Sequence, residues 1–172
     1  MTNGNGTHTE VAPEFLKMIQ VTDLDTLLQA WPFVKAGIER IRARDKSCGS
    51  WTHSQIFNAI KFGLPTAPQR TTGVELFLAI DSQKRIKAFM VTTPKLDPFR
   101  NNAPVGVIVW LLYANYAMIE QFLPELERLG KINGGDQIEF QSGRQGWLRH
   151  FGRMMKLGFR IEQYKFIKDI QW

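Results

Sequence analysis

The chain is poor in cysteine, histidine and tyrosine, and each scarcity closes off some chemistry. A single cysteine, Cys48, in 172 residues leaves no partner for an internal disulfide and no thiolate cluster for zinc. Folding in a reducing compartment is the expectation that follows, with Cys48 a structural or incidental thiol. The three histidines fall in a polar stretch (His8), near a helix start (His53) and in a basic segment (His150), with no metal-ligand spacing and no Ser-His-Asp arrangement. No long hydrophobic run is present either. The longest apolar stretch, Val105 to Ile119, is short for a membrane span, and its valines and isoleucine suit a buried strand, so no membrane association is expected. The opening MTNGNGTHTE lacks a basic segment followed by an apolar one, which argues against a secretory signal. Residues 1–12 read instead as a polar tail, flexible unless a partner orders it.

What the chain does contain is apolar mass and positive charge. With 44% hydrophobic and 12% aromatic residues it can bury one sizeable core, which predicts a single domain over residues 13–172. Lys and Arg outnumber Asp and Glu by 22 to 16, a formal charge of +6 that permits nucleic acid or another polyanion as partner.

Periodicity orders the elements. Phe15 to Val21 alternates as a first strand, and Thr22 or Asp23 can cap the helix behind it. Leu24, Leu27, Leu28 and Trp31 recur at helical spacing; Pro32 is expected to break or restart that helix, which Val34, Ile38 and Ile41 then continue. Trp51 to Phe62, preceded by Ser50, predicts a short helix ending at Gly63, and Leu64 to Gly73 a loop. Val74 to Ile80 and Arg85 to Thr93 form a hairpin about Asp81-Ser82-Gln83-Lys84, followed by a loop from Pro94 to Pro104. Val105 to Tyr113 is apolar almost throughout, as a central strand covered on both faces should be. Asn115 to Gly130 predicts a helix kinked or restarted at Pro124, closed by the Asn133-Gly134-Gly135 turn. A strand around Ile138, a helix through Trp147 and Met155, and a strand from Phe159 to Asp169 complete an α/β single domain: a mixed central sheet with helices on both faces. On the helix near the end, Trp147, Leu148, Phe151, Met154 and Met155 gather on one side, with Arg149, Arg153 and Lys156 as a basic face on the other.

This element order, with the ending MMKLGFRIEQYKFIKD, resembles the GNAT superfamily, the Gcn5-related N-acetyltransferases. There the last helix commonly ends in Lys-Leu-Gly-Phe and a strand follows directly, as Lys156-Leu157-Gly158-Phe159 does here; Gly158 would close the helix as a left-handed residue. More narrowly, Leu123-Pro124-Glu125-Leu126 and Gly146-Trp147 resemble segments of GNAT-like proteins of tailed bacteriophages. The resemblance implies acetyl-CoA as acyl donor, held where two central strands splay, with its pyrophosphate on amides at the next helix start. By position, that place is Leu112, Tyr113 and Asn115, but Leu112 to Ala117 holds no glycine and no basic residue. The family's usual acid, a tyrosine shortly before Gly-Phe, corresponds to about Met154, a thioether that donates no proton. Tyr113 or Ser142 can stand in as acid and Glu75 or Glu139 as base.

Three functional readings follow. The first is a non-catalytic GNAT-like protein serving as a phage structural or virion-assembly component, with other protein subunits as partners and the host cytoplasm or virion as location. The second is an acetyl-CoA-dependent N-acetyltransferase with an atypical CoA site, relying on positioning and a backbone amide of the central strand. The third is a nucleic-acid-binding module using Arg149, Arg153 and Lys156.

Overall fold

Continuous apolar runs in ELFLAI and IKAFMV, buried on both faces and separated by a tight polar turn, build the hairpin at the centre of the sheet. The computed structural model describes residues 15–44, 51–114, 116–132, 134–135 and 137–140, together with Lys156 and Gly158. In chain order these form β1 (Lys17–Gln20), α1 (Leu24–Arg44), α2 (His53–Gly63), β2 (Glu75–Ile80), β3 (Ile86–Asp97), β4 (Ala103–Tyr113), α3 (Tyr116–Ile132) and β5 (Gln137–Phe140). The strands lie in the order β1-β2-β3-β4-β5; the first three pairings are antiparallel, and β4 with β5 is parallel. This is the expected single α/β domain with a mixed sheet. The polar tail and the last strand lie outside the described residues, as do Ser142, Asn115, Arg149 and Arg153. Lys156 is helical and Gly158 has φ 85°, the left-handed conformation expected of a glycine at that helix end.

Helices cover both faces. Leu27, Val34, Ile38 and Ile41 of α1 and Ile56 and Ile60 of α2 pack on Leu76, Leu78, Phe89, Val91 and Leu111. On the other face, Leu126 and Leu129 of α3 pack on Phe77, Met90, Val107 and Val109. The Asp23 carboxylate caps α1, accepting the Thr26 N–H and hydroxyl, each at 2.8 Å.

Three expectations need correction. Helix α1 runs unbroken through Pro32; α3 likewise continues past Pro124 rather than restarting there. Both prolines lie on exposed faces, so water can satisfy the carbonyls of Leu28 and Glu120 that lose their donors. The loop expected from Pro94 to Pro104 is mostly strand, and the turn shrinks to Pro98–Arg100 with left-handed Asn101 and Asn102. Pro94 is tolerated because β2 ends at the Glu75–Thr92 pair, leaving β3 bonded on one side only. Finally, α2 begins at His53 rather than Trp51: Thr52 and Gln55 form a reciprocal capping box, with Thr52 N–H donating to Gln55 Oε1 at 2.7 Å and Gln55 N–H to Thr52 Oγ1 at 3.1 Å.

Candidate functional site

Strand β4 changes faces partway along. Val91 pairs with Leu111 but Thr92 pairs with Val109, so Trp110 is an extra residue bulged out of the ladder. Before the bulge, Val107 and Val109 face α3; after it, Leu111 and Tyr113 face α1 and α2. Strand β5 pairs with β4 only from Gly106 to Val109 among the described residues, while β4 runs on to Tyr113. The Gly106 end of the parallel pair is tight: a side chain at Gly106 would strike the Gln137 carbonyl, and one at Gly135 would strike the Val105–Gly106 backbone.

Helix α1 crosses the strand end at Gly37, where a methyl group would run into the rings of Phe89 and Tyr113. One turn later, Arg40 donates a hydrogen bond to the Tyr113 hydroxyl and stands over its ring, 5.9 Å from the centroid. The Tyr113 ring stacks on Phe89 at 5.7 Å and meets Phe33 edge-on at 5.8 Å. At the bulge, the Trp110 indole N–H donates to Thr93 Oγ1 at 2.7 Å, and its ring meets that of Trp51 at 5.5 Å. Two residues after Trp51, His53 opens α2 with Nε2 3.8 Å from Glu39 Oε1 of α1. That Nε2 is buried and has no hydrogen-bond partner among the described residues. Arg40 thus meets the strand end and Trp51 the bulge, with Glu39 next to Arg40 in the chain and His53 two residues after Trp51.

The residues singled out from sequence are not gathered together. Tyr113 sits at the bulged strand end, bonded to Arg40. Leu112 packs into the α3-face core. Glu75 is occupied by Arg70 at 3.2 Å and Gln20 at 3.3 Å, two strands from β4. Glu139 is ion-paired with Lys95 at 2.9 Å, and Lys95 also reaches Gln137 at 3.0 Å across side-chain-free Gly106. Because Glu139 stands beside Ile108, it lies about 16 Å down the strand from Tyr113, at roughly 3.3 Å per residue. Of the basic face, Lys156 is exposed. Sequence reasoning missed Glu39, Arg40, Trp51 and Trp110, and left His53 as a helix-start residue. The one available signal was Trp110, the sole aromatic inside an otherwise aliphatic run.

A CoA substrate fits this frame in part. Arg40 brings to Tyr113 the positive charge that Leu112 to Ala117 lacks. The absence of glycine in that segment limits close approach of phosphate to the backbone. Among the described residues no cluster of His, Cys, Asp and Glu can hold a metal ion, and no helix is long and apolar enough to cross a membrane.

Neither a protein-family model nor a curated protein matches the chain. Solved structures do. A probable acetyltransferase superposes with a TM-score of 0.62 at 13% identity, covering 90% of this chain and 98% of its own. AAC(6')-Iy, solved with the bisubstrate analogue CoA-S-monomethyl-acetylneamine, gives 0.60 at 14% identity, covering 91% and 99%. A ribosomal-protein-alanine N-acetyltransferase from Brucella melitensis biovar Abortus 2308 gives 0.56 at 9% identity, covering 92% and 99%. At these identities the likeness is one of fold: the chain has a GNAT-like architecture.

Proposed function

We propose that the chain transfers an acyl group from acyl-CoA to an amine, using the bulged end of β4 as its donor site. The observation that carries this reading is the Trp110 bulge, which turns the strand end toward α1 and α2. A thioester carbonyl set against a backbone amide of that strand end would gain a hydrogen bond as its oxygen becomes anionic. Arg40 supplies positive charge beside the same strand end. Structural neighbours that are acetyltransferases, one of them solved with a CoA-containing bisubstrate analogue, support the choice of donor. Isothermal titration with acetyl-CoA tests it: the expected result is one site of micromolar affinity, and silence at millimolar ligand would overturn the proposal.

A second reading, a non-catalytic structural or assembly protein of a tailed bacteriophage, located in the host cytoplasm or virion, is favoured by a different observation. The tip of the β3–β4 hairpin carries Phe99, 97% exposed, and Leu96, 51% exposed, an apolar knob of the kind that subunit interfaces bury. On this reading acetyl-CoA gives no heat, and Phe99→Ser abolishes incorporation into assembled particles without changing the melting temperature.

A further inference from the structure

We infer that His53, backed by Glu39, is the group that takes the proton from the attacking amine. The inference rests on the acyltransferase reading and assigns its acceptor side. A buried polar nitrogen is normally hydrogen-bonded, yet His53 Nε2 has no partner among the described residues and lies 3.8 Å from Glu39 Oε1, beyond hydrogen-bond reach. The His53 side chain is nevertheless 29% exposed, so the rest of the ring faces outward. An imidazole with one nitrogen turned toward a carboxylate and its other edge open is arranged to accept a proton outward while the carboxylate stabilises the resulting cation. Glu39, 57% exposed, acts through His53 as a positioning residue.

Location adds the second line of argument. Trp51, two residues before His53, packs on Trp110, the bulged residue itself, and is 41% exposed. An acceptor at the Trp51–Trp110 pair lies against the bulged residue of β4, with His53 two residues along the chain from Trp51. The two rings meet edge to face at 73°, and the open ring face of such a corner suits a cationic primary amine, which must lose protons to react. In the step proposed, His53 takes one proton from the substrate ammonium and passes it to water, and the neutral amine nitrogen adds to the thioester carbonyl carbon, forming the N–C bond. The C–S bond then breaks with its electron pair leaving on sulfur, and the nitrogen's second proton goes to the departing CoA thiolate, giving the amide and the CoA thiol.

The charged groups around His53 among the described residues are few. Glu39 faces it from α1, and Arg42 lies three residues further along the same side of that helix with a buried, unpartnered Nη2. Arg40 is engaged with Tyr113.

The test measures thiol release from acetyl-CoA with spermidine as acceptor, together with acetyl-CoA titration, for wild type, His53→Gln and Glu39→Gln, each checked for an unchanged circular dichroism spectrum. His53→Gln should bind acetyl-CoA as wild type does, lose about 100-fold in kcat/KM, and lose the rise of kcat/KM on the acid side. Glu39→Gln should bind acetyl-CoA as wild type does and lower kcat with KM for spermidine unchanged, whereas a merely structural Glu39 would leave kcat in place. A His53→Gln profile that superimposes on wild type overturns the inference while leaving the acyltransferase reading intact. Wild type that neither binds nor turns over acetyl-CoA overturns both.

Discussion

Asp81 shows how one buried carboxylate holds a turn. Its oxygens accept N–H bonds from Gln83 at 2.9 Å and Arg85 at 2.8 Å and the Arg85 Nε at 2.7 Å, with Lys87 Nζ at 3.5 Å. Burial alone raises the pKa of such a group, but the Arg85 and Gln83 bonds and the Arg85 charge outweigh it and hold Asp81 at about 2. A folded pKa below the unfolded one means that the stabilisation is complete above about pH 4 and is lost as pH falls toward 2. Urea midpoints measured across that window should fall for wild type and change much less for Asp81→Asn, which is the less stable protein at neutral pH. Equal slopes for the two proteins would rule this account out. Thr52 makes a second prediction of the same scale. Its hydroxyl satisfies an N–H at the start of α2, and Thr52→Ala should cost about 1 kcal/mol by chemical denaturation. Both turns are readable locally, since Asp-Ser-Gln-Lys and Thr-His-Ser-Gln carry their partners within four residues. Arg40 and Tyr113 are not, because 73 residues separate them and only the packing of α1 on the sheet brings them together.

Among the elements, α1 shows why a local rule yields to burial. A proline in a helix interior costs about 3 kcal/mol relative to alanine. Leu27, Val34 and Ile38 are each almost wholly buried against the sheet, and each such side chain contributes roughly 1.5–3 kcal/mol. The helix therefore continues, and Pro32 remains a local cost. Pro32→Ala should stabilise the protein by about 2 kcal/mol, after allowance for the greater freedom of the unfolded alanine chain; a lower denaturation midpoint would show that Pro32 is required instead. Gly37 points the other way. A methyl group there meets Phe89 and Tyr113, so Gly37→Ala should destabilise by roughly 1–3 kcal/mol in spite of alanine's better helix propensity. Strand and helix order followed from periodicity, and the run from Val105 to Tyr113 announced a central strand. The bulge within that run left no local trace, because one extra residue in an apolar strand changes which face each side chain takes without changing composition.

For the whole molecule, the sheet is one layer shared by two cores, so neither core should melt alone. Phe77 points toward α3 while its neighbours Leu76 and Leu78 point toward α1 and α2, and every residue of β2 thereby ties one face to the other. Phe77→Ala removes a ring with 1% exposure and should cost about 3–5 kcal/mol. Trp31 and Trp110, with Trp51 packed on Trp110, lie on the opposite face. If the faces are coupled through the sheet, tryptophan fluorescence and far-ultraviolet circular dichroism should shift to the same lower urea midpoint in Phe77→Ala. A fluorescence transition that stays at the wild-type midpoint while the circular dichroism transition moves would mean that the α1 and α2 face unfolds as an independent unit. Coupling also bears on the site, because the Trp110 bulge exchanges faces within a single strand. A loss of packing under α3 then reaches Tyr113 and Arg40 through β4 itself, and the destabilised variant should lose acetyl-CoA affinity at urea concentrations where wild type retains it.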